Sequence, residues 1–130
     1  MKELSPREAY AVLQTDADAL LIDVRSEIEH LFVGHPPEAL SIPWSDAPDW
    51  EINPDFVAAV ERVTQGRRDR PLLLLCRSGN RSACAAATLL DAGFTRVINI
   101  RHGFEGDLDD NNHRNTLNGW RVDGLPWVQS

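Results

Sequence analysis

The chain has 130 residues, an apolar share of 42% and a formal net charge of −7. That length holds one domain with a single core, and the acidic balance argues against a broad basic face for nucleic acid or anionic lipid. With no repeat, no apolar run near membrane-helix length and no signal-peptide core in "MKELSPREAY", one cytoplasmic domain over residues 1–130 is expected.

In chain order, "LSPREAYAVLQ" predicts a helix. Ser5 is its N-cap, Pro6 fits the first helical position and Glu8 completes a capping box. Ala9, Val12 and Leu13 supply an apolar stripe. "ALLIDVR", Ala19 to Arg25, is an apolar run ending in charge, the pattern of a strand buried on both faces. "EALSIPW" predicts a shorter strand closed by Pro43. "NPDFVAAVERV" predicts a second helix, capped by Asn53 and opened by Pro54, with Phe56, Val57, Val60 and Val63 on its buried face. "RPLLLLC" predicts the central strand. "RSACAAATLLDAG" predicts a helix ended by Gly93, whose alanines allow close approach to a sheet, and "RVINI" a further buried strand. Beyond Arg101 the pattern fades. "GFEGDLDDNNHRNT" reads as an irregular loop. "LNGWRVDGLPWVQS" reads as a short closing helix and an ordered tail, with Trp120, Leu125 and Trp127 packed on the body.

Strands that alternate with helices define an α/β domain: a mainly parallel central sheet of about five strands with helices on both faces. The active crevice of such a sheet lies at the carboxyl ends of its strands, and Cys76 ends one.

The order around Cys76 is strand, Cys-Arg-Ser-Gly-Asn-Arg, helix. Small and polar residues let the backbone curl, and Gly79 can take a left-handed conformation. A curled loop at a helix N-terminus aims several N–H groups into one bowl, and Arg77 and Arg81 add positive charge. Such a bowl favours thiolate over thiol, and it would equally hold an anion carried on the sulfur. The four leucines before Cys76 give the loop a rigid base.

These segments together resemble the rhodanese-like domain, a sulfurtransferase family, over most of the chain. "LLIDVRSEIEHLFVGHPPEALSIPW" resembles its Asp-Val-Arg segment followed by Gly-His and a short strand ending in Pro. "LLLLCRSGNRSACAA" resembles its active-site loop, and "NGWRVDGLPW" its C-terminal closure. The resemblance implies that Cys76 takes a sulfane sulfur, becomes a persulfide and passes the sulfur to a thiophilic acceptor. The donor would be thiosulfate or a persulfide. The acceptor would be cyanide in vitro and a cellular or protein-borne thiol in vivo. The loop from Arg77 through Ser78, Gly79, Asn80 and Arg81 to Ser82 would cradle the outer sulfur. No cofactor is implied beyond the covalent persulfide, and no metal, nucleic acid or membrane. The chain departs from the family at Glu38, where a Gly usually follows the Pro, and in its long "EGDLDDNNHRNT" segment.

Other readings compete with this one. Phosphatases and arsenate reductases on a related fold also pair a cysteine with an arginine, usually with five residues between. Here four residues, Arg77 to Asn80, stand between Cys76 and Arg81, a smaller bowl that suits one sulfur better than a tetrahedral phosphate. A non-catalytic binding module is the other rival; an intact loop that keeps its cysteine speaks against it. Asp23 and Arg25 are expected to support the catalytic loop or neighbouring backbone. His30, His35, His102 and His113 show no ligand spacing, and His35 is expected to be structural. "DLDDNNH" lacks the glycine and glutamate of a helix-loop-helix calcium site. Cys84 is expected to be a packed core thiol, too far from Cys76 along a helix for a disulfide.

Overall fold

The computed structural model describes residues 2–46 and 50–129. Five strands form one parallel sheet: β1 (Lys2–Leu4), β2 (Leu20–Asp23), β3 (Leu40–Ser41), β4 (Leu72–Leu75) and β5 (Val97–Ile100). The strand order is β1-β5-β4-β2-β3. Three α-helices among the described residues accompany it: α1 (Pro6–Thr15), α2 (Phe56–Thr64) and α3 (Asn80–Asp91).

The central strands are apolar on both faces because both are covered. Leu72, Leu74 and Ile22 pack with Phe56 and Val60 of α2 and with Ala85, Ala86 and Leu89 of α3. Leu73, Leu75 and Ile98 pack on the other side with Ala9 of α1, Phe104 and Trp120. Ala85 and Ala86 are fully buried, and their small side chains let α3 lie close over β4 and β5. Among the described residues, no helix is long and apolar enough to cross a membrane.

The capping box of α1 forms as the sequence predicts: Glu8 N–H donates to Ser5 Oγ at 3.2 Å, and Ser5 N–H to Glu8 Oε1 at 2.9 Å. Other boundaries differ. Helix α2 starts at Phe56, because Asn53 Oδ1 instead accepts from the Asp55 N–H at 3.0 Å in a local turn. The strand expected over 38–44 keeps ladder pairing only at Leu40–Ser41. Strand β1 was not expected; three residues carry no legible period, and the pairing comes from Glu3 lying beside Asn99 of β5.

The closing helix expected in "LNGWRVDGLPWVQS" is a series of turns. Gly119 and Gly124 both have positive φ, and the Trp120 and Arg121 N–H groups donate to Gly103 and Phe104 carbonyls rather than back along a helix. Trp120 is buried and Leu125 packs against the same core, whereas Trp127 remains 36% exposed while meeting Phe104 edge-on.

Cys84 is exposed, contrary to the core position expected for it. The buried positions of α3 are Ser82, Ala85, Ala86 and Leu89. Cys84 stands two residues beyond Ser82, which places it on the opposite side of a 3.6-residue helix.

Candidate active site

Cys76 follows β4 at the carboxyl end of the sheet and is 1% exposed. The chain then turns through Gly79, with φ 107°, into the N-terminus of α3. That φ favours glycine, and it turns the Gly79 N–H onto Cys76 Sγ at 3.0 Å. Ser82 Oγ, one turn into the helix, lies 3.2 Å from the same sulfur. The first N–H groups of α3 have no intrahelical acceptor, so the helix presents its positive end to the sulfur.

A second segment holds the loop from behind. The Phe104 N–H donates to the Cys76 carbonyl at 2.8 Å, and the Glu105 and Gly106 N–H groups to the Arg77 carbonyl at 2.9 and 3.2 Å. Gly103 makes this approach possible: a Cβ there would stand 2.4 Å from the Cys76 carbonyl oxygen. The sequence "RHGFEG" shows the glycines but not their partner.

The two arginines of the loop differ. Arg77 is exposed, and its guanidinium has no hydrogen-bond partner among the described residues. Arg81 makes a two-point contact with Glu29, Nη1 to Oε1 at 2.7 Å and Nη2 to Oε2 at 2.9 Å. Glu29 opens a five-residue π-helical turn, Glu29–Val33. Its Oε1 also accepts from Ser26 N–H and Oγ, and its own N–H donates to Ser26 Oγ. Burial pushes the Glu29 carboxyl up, but the hydrogen bonds and charge of Arg81, with Ser26, outweigh it and hold the carboxyl below its ordinary value. Arg81 is correspondingly raised, first by its hydrogen bond to Glu29. Glu29 was missed in the sequence, although Ser26-Glu27-Ile28-Glu29 has capping-box spacing.

Asp23 and Arg25 lie fully buried at the end of β2. Arg25 Nε and Nη2 donate to the two Asp23 oxygens at 2.9 and 2.7 Å, and Nη2 also donates to the Gly34 carbonyl at 2.5 Å. His30 Nδ1 stands 2.8 Å from Asp23 Oδ2 and stacks on His35 at 3.7 Å. Burial pushes Asp23 up, yet the hydrogen bonds from His30 and Arg25 together hold it below its ordinary value. The pair ties down the backbone that carries Glu29; neither residue hydrogen-bonds the loop from Cys76 to Ser82. His35 Nδ1 meets the His30 carbonyl at 2.7 Å, a structural placement.

Above the loop lies an open cleft of about 880 Å³. Its walls include Arg77, Arg81, Glu29 and Trp50, with Leu108, His113 and Arg114 from the irregular segment after Gly106. That segment, a plain loop in the sequence, is a wall of the site. Asp109 organises it by accepting from the N–H groups of Asn111 and His113 and from Thr116 Oγ1.

A parallel sheet with a cysteine cradled at a strand end, and a helix N-terminus aimed at its sulfur, defines a Cys-loop α/β domain. The family model described as "Rhodanese-like domain" matches residues 5–109, and the chain belongs to that family. The chain is 39% identical to the M. tuberculosis protein whose structure is described as "Crystal structure of Rv0390", covering 100% of this chain and 98% of that one with a TM-score of 0.87. It is 30% identical to the uncharacterized protein RC0915 of Rickettsia conorii, over 98% of this chain and 97% of the other. It is also 34% identical to the Saccharomyces cerevisiae "Adenylyltransferase and sulfurtransferase UBA4", over 72% of this chain and 21% of that much longer protein.

Proposed function

We propose that the protein is a sulfurtransferase that carries sulfur as a persulfide on Cys76. The carrying observation is the environment of Cys76 Sγ: a donor from Gly79 at 3.0 Å at the head of α3. Sulfur transfer needs a good nucleophile and a stabilised leaving sulfur, and no proton-transfer partner. Support also comes from the similarity to a relative described as a sulfurtransferase.

The reaction proceeds in two displacements. The Cys76 thiolate attacks the outer sulfur of thiosulfate; a new S–S bond forms, the old one breaks, and sulfite leaves with the electron pair. An acceptor thiolate, or cyanide, then attacks the outer sulfur of the persulfide and returns Cys76 to thiolate. The N–H groups from Arg77 to Ser82 hold the outer sulfur between these steps, and Arg77 meets the incoming dianion at the cleft. The volume of the cleft leaves room for a donor or acceptor larger than thiosulfate, such as a protein-borne thiol.

Intact mass after thiosulfate, then after cyanide, tests this reading. One added sulfur that cyanide removes, absent from Cys76→Ser, is the expected result. Failure of the wild type to gain it from thiosulfate or from a persulfide donor sinks the proposal. Robust Cys76-dependent hydrolysis of an aryl phosphate would favour the phosphatase reading instead.

A further inference from the structure

Asn99 is a polar residue within an otherwise apolar, fully buried strand, itself 1% exposed. Its cross-strand neighbour on β1 is Glu3. The orientation of its amide is determined by its partners. Nδ2 donates to Glu3 Oε2 at 3.0 Å and to the Gly79 carbonyl at 3.2 Å. Both partners accept and cannot donate, so the amide cannot be turned over. Oδ1 therefore faces Ser82 Oγ, 2.5 Å away. An amide oxygen only accepts. The hydrogen in that contact belongs to Ser82, and a serine hydroxyl has one.

Ser82 Oγ also stands 3.2 Å from Cys76 Sγ. With its hydrogen spent on Asn99, the hydroxyl offers the sulfur a lone pair. A protonated thiol can donate to that lone pair; a thiolate is repelled by it. To serve a thiolate the hydroxyl must turn to the sulfur, which leaves Asn99 Oδ1 buried without a donor. The Gly79 N–H at 3.0 Å acts in the opposite sense and favours thiolate.

We propose that Asn99 is a positioning residue for the nucleophile: by claiming the Ser82 hydroxyl hydrogen it makes Ser82 an acceptor towards Cys76 and denies the sulfur a second hydrogen-bond donor beside the Gly79 N–H. Asn99 acts through Ser82 and touches no reacting atom. The inference rests on Cys76 as the nucleophile, but on no particular donor or acceptor.

The test is the pH dependence of Cys76 alkylation by iodoacetamide, resolved from Cys84 by peptide mass. Charged and titratable groups around the sulfur are Arg77 and Arg81 of the loop, Glu29 and Asp23 beyond Arg81, Glu3 beside Asn99, His102 next to Gly79, and Glu105, His113 and Arg114 on the cleft wall. Asn99→Ala removes none of these charges, and only Glu3, which is exposed, loses a hydrogen bond. The substitution should move the midpoint of alkylation to lower pH by about half to one unit, the worth of one hydrogen bond. In a Ser82→Ala background the same substitution should move nothing. A purely structural Asn99, holding the Gly79 carbonyl, predicts the reverse: a loosened Gly79 N–H and a midpoint at higher pH. An unchanged or raised midpoint overturns the proposal, as does a shift that survives without the Ser82 hydroxyl. If Asn99→Ala does not fold, Glu3→Gln at an exposed site removes the carboxylate that polarises the amide. It should give a smaller shift of the same sign, and no shift or the opposite sign overturns the proposal. A lowered midpoint in a protein that takes up no sulfur would uphold Asn99 and refute the sulfur-transfer reading.

Discussion

Arg81 and Glu29 are joined at two points, 2.7 and 2.9 Å, across 52 residues of sequence. The contact ties the head of α3 to the π-helical turn at the cleft wall, and it largely neutralises one of the two arginines of the loop. Glu29→Gln keeps an acceptor but removes the charge. Loss of a charge-assisted contact at a half-buried site should lower stability by about 1–2 kcal/mol. It should also lower KM for thiosulfate, because the Arg81 charge then acts on the donor. Urea unfolding and steady-state kinetics of the variant check both; a raised KM with the fold intact would mean that Glu29 orders the site rather than masking charge.

Arg77 is exposed at the cleft with no hydrogen-bond partner among the described residues, and under the proposed function it would meet the donor. Arg77→Ala should raise KM for thiosulfate more than it lowers kcat, the mark of lost ground-state binding. Added salt should weaken thiosulfate use by the wild type more than by the variant. Kinetics of both proteins at two ionic strengths test this. An unchanged KM would point to a bulkier donor that binds through the cleft walls.

Asp23 and Arg25 form a fully buried pair, and the surviving partner of a broken pair is an uncompensated charge. Asp23→Asn should cost about 3–5 kcal/mol, read as a lowered urea midpoint. The Asp23 carboxyl is held below its ordinary value of 3.8 in the folded protein. Its contribution is therefore complete above that pH and is lost as pH falls through the folded value. The wild type should lose stability on this acid limb, and Asp23→Asn should show a flatter one. Parallel acid limbs would show that other carboxylates govern acid unfolding.

Cys84 lies on the outer face of α3. Cys84→Ala should leave turnover unchanged and stability within about 0.5 kcal/mol of the wild type. Thiol reagents should label Cys84 in the folded protein. A collapse in turnover with the fold intact would give Cys84 a part in resolving the persulfide.

The sequence by itself determined the α/β class, the central strand, the cysteine at its end and the glycine that turns the loop. These are local properties: a run of leucines needs cover on two faces, and a strand-Cys-loop-helix order places a thiol at a helix N-terminus whatever surrounds it. Only the tertiary structure decided what the charged and polar residues do. Arg77 and Arg81 look alike in "CRSGNR", yet among the described residues one has no hydrogen-bond partner and the other is bound to Glu29, a choice made by where the turn after β2 lies. Asn99 in "RVINI" is legible as an oddity in an apolar strand, but its partners Glu3 and Ser82 come from β1 and α3. Strand β1 itself is too short to carry a period, and the irregular segment after Gly106 becomes a cleft wall through contacts of the Asp109, Arg114 and Asn118 side chains that follow no period. Hydrogen bonds between distant segments depend on chain crossing and register, and neither is written in local periodicity.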